Sequence, residues 1–379
     1  MRETEMTQRG FTRRSFGRIA TLIGAGATLP FYNEFALAQR AALAVLPDLP
    51  ADAVRININE NPLGPCPEAA DVIHSYVKEG GRYHFEQPVI MAQTAAQTEG
   101  VKPDYVSVFA GSSDPLHRVI LAYCSPKKSL VISDPSYEAG RAAAKFIGAK
   151  VVTIPLRKDL THDVQAMAKA DPNAGVIYIC NPNNPTGTVT PKADIEWLVA
   201  NKPAGSIVLV DEAYIHFSTA WEERCSDLVA KDRDLIVLRT FSKLYGLAAF
   251  RAGLALGRPD LLAKMEPAGT SIVPIAGMVG ATASLKVKDL VPQRRKIVRE
   301  IREDVFAFLD KHNFSYVRSD TNHFLLDTKR PGPEFMKAMA QHKVLVGRTW
   351  ASLPNHSRIS VGSREEMEKF KSALLQVMA

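Results

Sequence analysis

Five polar residues in the middle of the chain each lie at or just beyond the end of a short apolar run. They are Asn184, Asp211, Tyr214, Lys243 and Arg251. Three of the apolar runs, VIYIC, IVLV and LIVLRT, have the Val and Ile content of buried strands. In an open α/β sheet, ligands bind in the crevice outside the carboxyl ends of the strands, so this arrangement predicts a ligand site.

Lys243 suggests covalent chemistry at that site. It ends the sequence Thr240-Phe241-Ser242-Lys243 directly after an apolar run. Desolvation near the protein interior lowers the pKa of an amine, and this is how lysines become Schiff-base nucleophiles. The alternative is a solvated surface lysine, the commoner fate of this residue type.

The residues around Lys243 match different faces of one cofactor. Asp211 can form an ion pair with a protonated ring nitrogen, and Tyr214 and Asn184 can hydrogen-bond a phenolate. Tyr137 follows another apolar run and can stack on a flat ring. Arg251, Thr240 and Ser242, together with the glycine turn at 111–115 that opens a helix, suit a phosphate group. The set indicates pyridoxal phosphate.

Alternating apolar runs and helix-length segments predict an α/β fold with a mostly parallel sheet covered on both faces. The predicted strands are 106–110, 129–133, 150–155, 175–180, 207–210, 235–240 and 252–257, and the predicted helices are 115–123, 138–147 and 192–201.

From about residue 285 the pattern changes to that of a smaller α+β domain. A charged amphipathic helix is predicted at 290–311. It is followed by short strands and two helices, at 315–317, 323–327, 358–361, 333–342 and 365–378. We expect the arm 48–70 to join this domain.

Composition limits the possible partners. The chain has 379 residues, 46% of them hydrophobic, and a formal net charge of +7 that falls to +5 without residues 1–38. The surplus is scattered, which argues against nucleic-acid binding. The four cysteines show no metal-binding spacing, and the sequence pairs none of them: Cys66, Cys124, Cys180 and Cys225.

The N-terminus has the features of a twin-arginine signal peptide spanning residues 1–38. The pair Arg13-Arg14 precedes an apolar stretch at 19–31, and Ala36-Leu37-Ala38 supplies a small-x-small cleavage site. The stretch is shorter than the roughly 20 apolar residues that a spanning helix needs. We expect a periplasmic or exported protein without stable membrane association; a disordered tail is the alternative.

The motifs together resemble the fold-type I pyridoxal-phosphate enzymes of the class I/II aminotransferase family, most closely its histidinol-phosphate and aromatic aminotransferase branch. They occur in family order between about residues 55 and 364. They are NENPLGP, RY, GSSD, PSY, NPNNPTG, DEAY, FSK with Arg251 eight residues beyond Lys243, and RISVG.

This resemblance implies an arm at 39–80, a large cofactor-binding domain with a seven-stranded sheet at 81–284 and a small domain at 285–379. Lys243 would carry the Schiff base and shuttle a proton, and Asp211 would keep the ring nitrogen protonated. The other implied cofactor contacts are Tyr214, Asn184, Tyr137, Ser112, Ser113, Thr240, Ser242 and Arg251. Tyr83 would reach the cofactor of the neighbouring subunit in a homodimer.

The resemblance also implies substrate contacts. Arg358 would bind the α-carboxylate as a bidentate pair, with Asn322 as a helper and Arg348 lining the substrate pocket. Ordinary turn, surface or packing roles are the alternatives for Asn184, Arg358, Tyr137 and Arg348. The chain departs from the family where His84 follows Arg82-Tyr83, and the segment 85–97 reads as alanine-rich and irregular.

The expected activity is transfer of an amino group between an amino acid, with an aromatic or imidazole side chain favoured, and a 2-oxo acid. An exported enzyme is not expected to serve cytosolic histidine biosynthesis. A lyase or decarboxylase on the same scaffold is the alternative enzyme. A pyridoxal-phosphate-binding regulator is the non-enzyme alternative. Such a regulator needs a DNA-binding module ahead of the enzyme-like domain, where we expect residues 1–50 to be an export signal and a short linker.

The signal-peptide interpretation makes a direct prediction. Residues 1–45 fused to a reporter should direct export, and replacing Arg13 and Arg14 by Lys should abolish it, because the twin-arginine route requires that pair. Periplasmic fractionation of the reporter measures the effect. Unchanged export of the Lys-Lys variant would rule the interpretation out.

Overall fold

The computed structural model describes residues 8–9, 52–269 and 272–378, so most of the predicted signal peptide lies outside the described residues. The strands within these ranges are β1 (Val54–Ile56), β2 (Val106–Phe109), β3 (Ser129–Asp134), β4 (Val151–Pro155), β5 (Ala174–Cys180), β6 (Ile207–Asp211), β7 (Leu235–Thr240), β8 (Gly253–Leu256), β9 (Tyr316–Val317), β10 (His323–Asp327), β11 (Val344–Val346) and β12 (His356–Ser360).

The α-helices of the same ranges alternate with these strands. They are α1 (Pro67–Tyr76), α2 (Gln87–Glu99), α3 (Ser113–Tyr123), α4 (Ala139–Phe146), α5 (Val164–Lys169), α6 (Lys192–Asn201), α7 (Ser226–Ala230), α8 (Pro259–Ala263), α9 (Ile275–Lys286), α10 (Leu290–Lys311), α11 (Gly332–Gln341) and α12 (Arg364–Met378). The helices predicted at 192–201 and 290–311 have the predicted bounds.

A seven-stranded sheet forms the larger part of the fold, with strand order β2-β8-β7-β6-β5-β3-β4. Its pairs are parallel except those that β8 makes with β2 and β7. Strands β5, β6 and β7 are buried along their whole length, as expected for a parallel sheet covered on both faces. The predicted α/β fold class is therefore confirmed.

The C-terminal part contains two smaller sheets. An antiparallel sheet has the order β12-β10-β9, and β1 of the arm pairs in parallel with β11, with Val54 opposite Val344. The arm is thereby hydrogen-bonded to a strand nearly 300 residues further along the chain. This pairing carries the next residues of the arm, 57–61, toward the large sheet.

The expectation that segment 85–97 is irregular is wrong, because the structure forms α2 there. Pro88 lies in the first turn, where its missing N–H costs nothing, and Gly100 ends the helix in the left-handed conformation with φ 71°. The alanines of this segment are strong helix formers and favour the helix. Met91 and Ala95 form part of its buried face.

A buried group of charges joins α2 to the large sheet. Arg239 of β7 donates hydrogen bonds to both carboxylate oxygens of Glu99, at 2.9 and 3.1 Å, and pairs with Glu212 through its Nη1. Arg224 adds a second cation 3.5 Å from Glu99. Burial alone raises the pKa of Glu99, but the charge of Arg239 and its hydrogen bonds outweigh burial and lower it.

Two further features of the described ranges concern cysteine chemistry and membranes. All four cysteines are buried and none forms a disulfide. No helix in the part of the chain that the structure describes combines the length and apolar character needed to cross a bilayer.

His162 links β3 to β5 and is fully buried. One ring nitrogen lies 2.7 Å from the Ser133 hydroxyl, and the other lies 2.9 Å from the carbonyl oxygen of Cys180. Burial lowers the pKa of His162 from 6.5 to about 4. The folded protein therefore holds this imidazole neutral at pH values where an unfolded chain protonates it.

This imidazole should make the fold sensitive to acid. Between pH 6.5 and about 4 the unfolded state binds a proton that the folded state does not, so the free energy of unfolding should fall as the pH falls, by about 3 kcal/mol in total. Urea unfolding of His162→Gln across this range should show a shallower fall than wild type. Exposed His312→Gln is the matched control; identical slopes for His162→Gln and wild type would contradict the assignment.

Candidate active site

A cavity of about 510 Å³ opens beyond the carboxyl ends of β5, β6 and β7. Ten of the residues that the sequence predicts as cofactor contacts line it together: Ser112, Ser113, Tyr137, Asn184, Asp211, Tyr214, Thr240, Ser242, Lys243 and Arg251. Parallel strands deliver their carboxyl ends to one edge of a sheet, which explains why residues spread over 140 positions converge. Ile58 and Glu60 of the arm close one side of this cavity.

Asp211, the last residue of β6, is a buried carboxylate held from two sides. The hydroxyl of Tyr178 donates to Oδ2 at 3.0 Å, and the N–H of Ala213 donates to Oδ1 at 3.2 Å. Burial and the adjacent Asp211 raise the pKa of Tyr178 well above its usual value, so its hydroxyl remains a donor. These bonds fix the direction in which Asp211 presents its charge.

Lys243 and Tyr214 lie side by side in the cavity wall. The Nζ atom of Lys243 donates to the carbonyl of Ile58 at 3.0 Å and lies 5.7 Å from the centre of the Tyr214 ring. The Tyr214 hydroxyl accepts hydrogen bonds from the amides of Asn59, at 2.9 Å, and Asn184, at 3.5 Å. The amine and the phenol are thus positioned by residues of the sheet and the arm together.

Arg358 and Asn322 do not line the cavity but are joined to it by hydrogen bonds. Arg358 is buried; its Nη1 donates to Oδ1 of Asn184 at 2.9 Å and its Nη2 to the carbonyl of Asn57 at 2.8 Å. The Asn322 amide donates to the carbonyls of Asn59 and Glu60, both at 3.2 Å. A guanidinium beside Asn184 is placed to receive a carboxylate at the cavity edge.

Arg251 and the turn before α3 form a cationic end of the cavity. The guanidinium donates to the carbonyls of Ala248 and Ala110, at 3.0 and 3.2 Å, and contacts Ser242. Gly111 has φ 85°, and a Cβ there would lie 2.2 Å from Nη2 of Arg251. Only glycine therefore lets the turn approach this guanidinium, and the N-terminal N–H groups of α3 point to the same region.

The structure does not bring Tyr83 and Arg348 into the cavity lining. Tyr83 is 67% exposed and stacks on Phe85, with ring centres 5.3 Å apart. Arg348 forms an ion pair with Glu138 at 2.7 Å.

Asn59 is the site residue that sequence reasoning missed. In the sequence it stands out only as part of the NENPLGP motif. In the structure it is fully buried, and its amide donates to the Tyr214 hydroxyl. Its own N–H donates to the Ser360 hydroxyl at 2.8 Å, and that hydroxyl donates to Asn59 Oδ1 at 2.9 Å. The backbone has φ 56°. An asparagine tolerates this conformation better than most residues, which is the signal that the motif carried.

Comparison with known proteins identifies the family of this chain. The sequence profile of the family described as aminotransferase class I and II matches residues 51–374. The chain belongs to the class I and II aminotransferase family. It is therefore a transaminase that uses pyridoxal 5′-phosphate, and the predictions of enzyme class and cofactor are confirmed.

Individual relatives agree with the family. The chain is 33% identical over 328 residues to a histidinol-phosphate aminotransferase of Symbiobacterium thermophilum, covering 85% of this chain and 90% of that one. It is 32% identical to an aromatic amino acid aminotransferase of Cutibacterium acnes, covering 86% and 93%. A histidinol-phosphate aminotransferase of Sinorhizobium meliloti, solved with pyridoxal-5′-phosphate, shares the fold with a TM-score of 0.81 at 22% identity, covering 93% and 99%.

The residues present fit that cofactor. The cavity lining offers a cation and the N-terminal N–H groups of α3, a carboxylate held in a fixed direction, and an amine. The guanidinium of Arg251, packed against the turn at Gly111, suits a phosphate group. Pyridoxal 5′-phosphate requires each of these groups.

The role of Asn59 can be tested with two substitutions. Asn59→Gly keeps the left-handed backbone and the backbone bond to Ser360 but removes the side-chain bonds to Tyr214 and Ser360, so the dissociation constant of pyridoxal 5′-phosphate should rise about tenfold. Asn59→Ala should lose about 1 kcal/mol more stability because φ is positive. Titration of apoenzyme and urea unfolding measure the two effects. Asn313→Gly, at an exposed positive-φ position, is the control, and wild-type affinity in Asn59→Gly would refute the role.

Proposed function

We propose that this aminotransferase transfers the amino group of a donor with an aromatic or imidazole side chain to a 2-oxo acid. The observation that carries the proposal is the buried Arg358 guanidinium, hydrogen-bonded to Asn184 at the edge of the cavity that contains Lys243. The names of relatives that act on histidinol phosphate and on aromatic amino acids support this choice of donor.

The side chains have separate tasks in this proposal. When bound, the cofactor supplies an electrophilic carbon and an electron-accepting ring. Lys243 would hold the cofactor and move a proton at the substrate Cα. Asp211 would hold the ring nitrogen, and Tyr214 and Asn184 would hold the ring oxygen. Arg358 holds the substrate carboxylate through two parallel hydrogen bonds, which a lysine cannot form.

In this proposal Tyr137 would stack on the ring of the cofactor. The phosphate would be held by Ser112, Ser113, Thr240, Ser242 and Arg251. Asn322, whose Oδ1 is buried and has no hydrogen-bond partner among the described residues, assists at the substrate carboxylate. Arg348 lies at the substrate side of the site.

The proposal extends to a homodimer with shared active sites. Four apolar side chains around the start of α2 are strongly exposed in the single chain: Val77, Tyr83, Phe85 and Val89. A patch of this kind is typical of a protein interface. Tyr83 would then contact the cofactor phosphate of the partner subunit.

Export through the twin-arginine route remains part of the proposal. It is supported by the arginine pair, the apolar stretch and the small-residue site of residues 1–38. The route carries folded proteins, which suits an enzyme that acquires its cofactor before it leaves the cytosol. Delivery outside the cytosol would separate the enzyme from histidine biosynthesis and favours an aromatic donor.

The activity is tested by mixing holoenzyme with single amino donors and following the absorption change to the aminated cofactor. Phenylalanine, tyrosine and histidine should each drive this half-reaction, and keto-acid product should appear in equal amount. Lys243→Ala should lower the rate by at least about 10⁴-fold, because Lys243 is the only lysine among the described residues that line the cavity. Release of CO2 or ammonia without keto-acid exchange would contradict the proposal.

A further inference from the structure

Two arginines lie against the same tryptophan beside the active-site cavity. The guanidinium carbons of Arg348 and Arg358 are 4.2 and 5.7 Å from the ring centre of Trp350. The indole N–H of this buried residue donates to the carbonyl of Ser136 at 3.2 Å, one residue before the cavity-lining Tyr137. The guanidiniums of Arg348 and Arg358 therefore both lie within about 6 Å of the centre of one ring.

Arg348 is already paired with a carboxylate of this chain. Its Nη1 donates to Glu138 at 2.7 Å, and its side chain is only 18% exposed. Its Nε and Nη2 are buried without a hydrogen-bond partner among the described residues. Glu138 directly follows Tyr137 and precedes the first turn of α4, so the strand-to-helix connection fixes its position.

This pair changes what the region can bind. An unpaired Arg348 would attract a second negative group on a ligand whose first carboxylate lies on Arg358. Glu138 offsets that charge and repels an incoming carboxylate or phosphate at close range. A charge that repels the wrong ligand is a usual source of specificity.

We propose that Glu138 is a specificity-determining residue that disfavours amino donors with an anionic side chain and leaves donors with a neutral aromatic side chain favoured. The inference builds on the proposed function, since it assumes that Arg358 receives the substrate α-carboxylate. It adds that dicarboxylic donors are disfavoured by a residue near the cavity that acts through Arg348.

Binding of two unreactive probes tests the proposal apart from catalysis. Glutarate and pentanoate have the same chain length and share one carboxylate, but only glutarate carries a second charge. Calorimetric titration of holoenzyme gives the ratio of their dissociation constants in wild type, Glu138→Gln, Arg348→Gln and the double variant. Glu365→Gln, which breaks an exposed ion pair with Lys369 on α12, is the matched control.

In Glu138→Gln the ratio should move in favour of glutarate by about tenfold. The double variant should lose this gain, because the released cation is then absent, and Glu365→Gln should keep the wild-type ratio. A ratio within twofold of wild type in Glu138→Gln would overturn the proposal. A lowered melting midpoint with an unchanged ratio would also overturn it, because it would show a purely structural ion pair.

The half-reaction separates this proposal from the proposed function. The second-order rate constant of the half-reaction is measured for glutamate and for phenylalanine. In Glu138→Gln the ratio of the glutamate value to the phenylalanine value should rise by about the same factor as the binding ratio. If wild type is aminated by no donor, the proposed function fails, while the glutarate and pentanoate ratio still decides the role of Glu138.

Discussion

The position of the active site depends on a buried set of charges at the carboxyl ends of β6 and β7. Arg239 lies between Glu99 and Glu212, and each of these acids is buried with it. Neighbouring residues of a strand face opposite ways, so this pairing also sets the direction of Thr240. Asp211, next to Glu212, is fixed in the same manner. Breaking such a buried pair leaves a charge without a partner, at a cost of about 3–5 kcal/mol.

Close backbone contact and a network of hydrogen bonds also hold the residues around the cavity in place. A Cβ on Gly253 would lie 2.4 Å from the carbonyl carbon of Gly111, so β8 holds the turn before α3 directly. On the other side, Asn59 joins the arm, Tyr214 and Ser360 through hydrogen bonds. The large sheet and its loops thus supply most of the cavity lining, while residues of the arm and the C-terminal part hydrogen-bond to Tyr214 and Asn184.

The sequence predicted which residues converge on the cavity because their positions follow from a local rule. Lys243, Asp211 and Asn184 each come after a buried strand, and parallel strands bring such positions together. Asn59 and Glu138 were missed because their roles depend on partners 155 and 210 residues away, which no local pattern reveals. The expectation that segment 85–97 is irregular was wrong for another reason. It followed from the departure from the family motif at His84, whereas the helix propensity of the alanines decides the structure there.

The bond between Asn59 and Ser360 joins residues that are 301 positions apart. A ribosome adding 5–20 residues per second takes about 15–60 s to make that stretch. All the strands of the large sheet are made before β12, so most residues that line the cavity leave the ribosome before Ser360 does. Closing so long a loop is entropically costly and slow. During synthesis, the bond between Asn59 and Ser360 is therefore among the last contacts near the cavity that the chain is able to form.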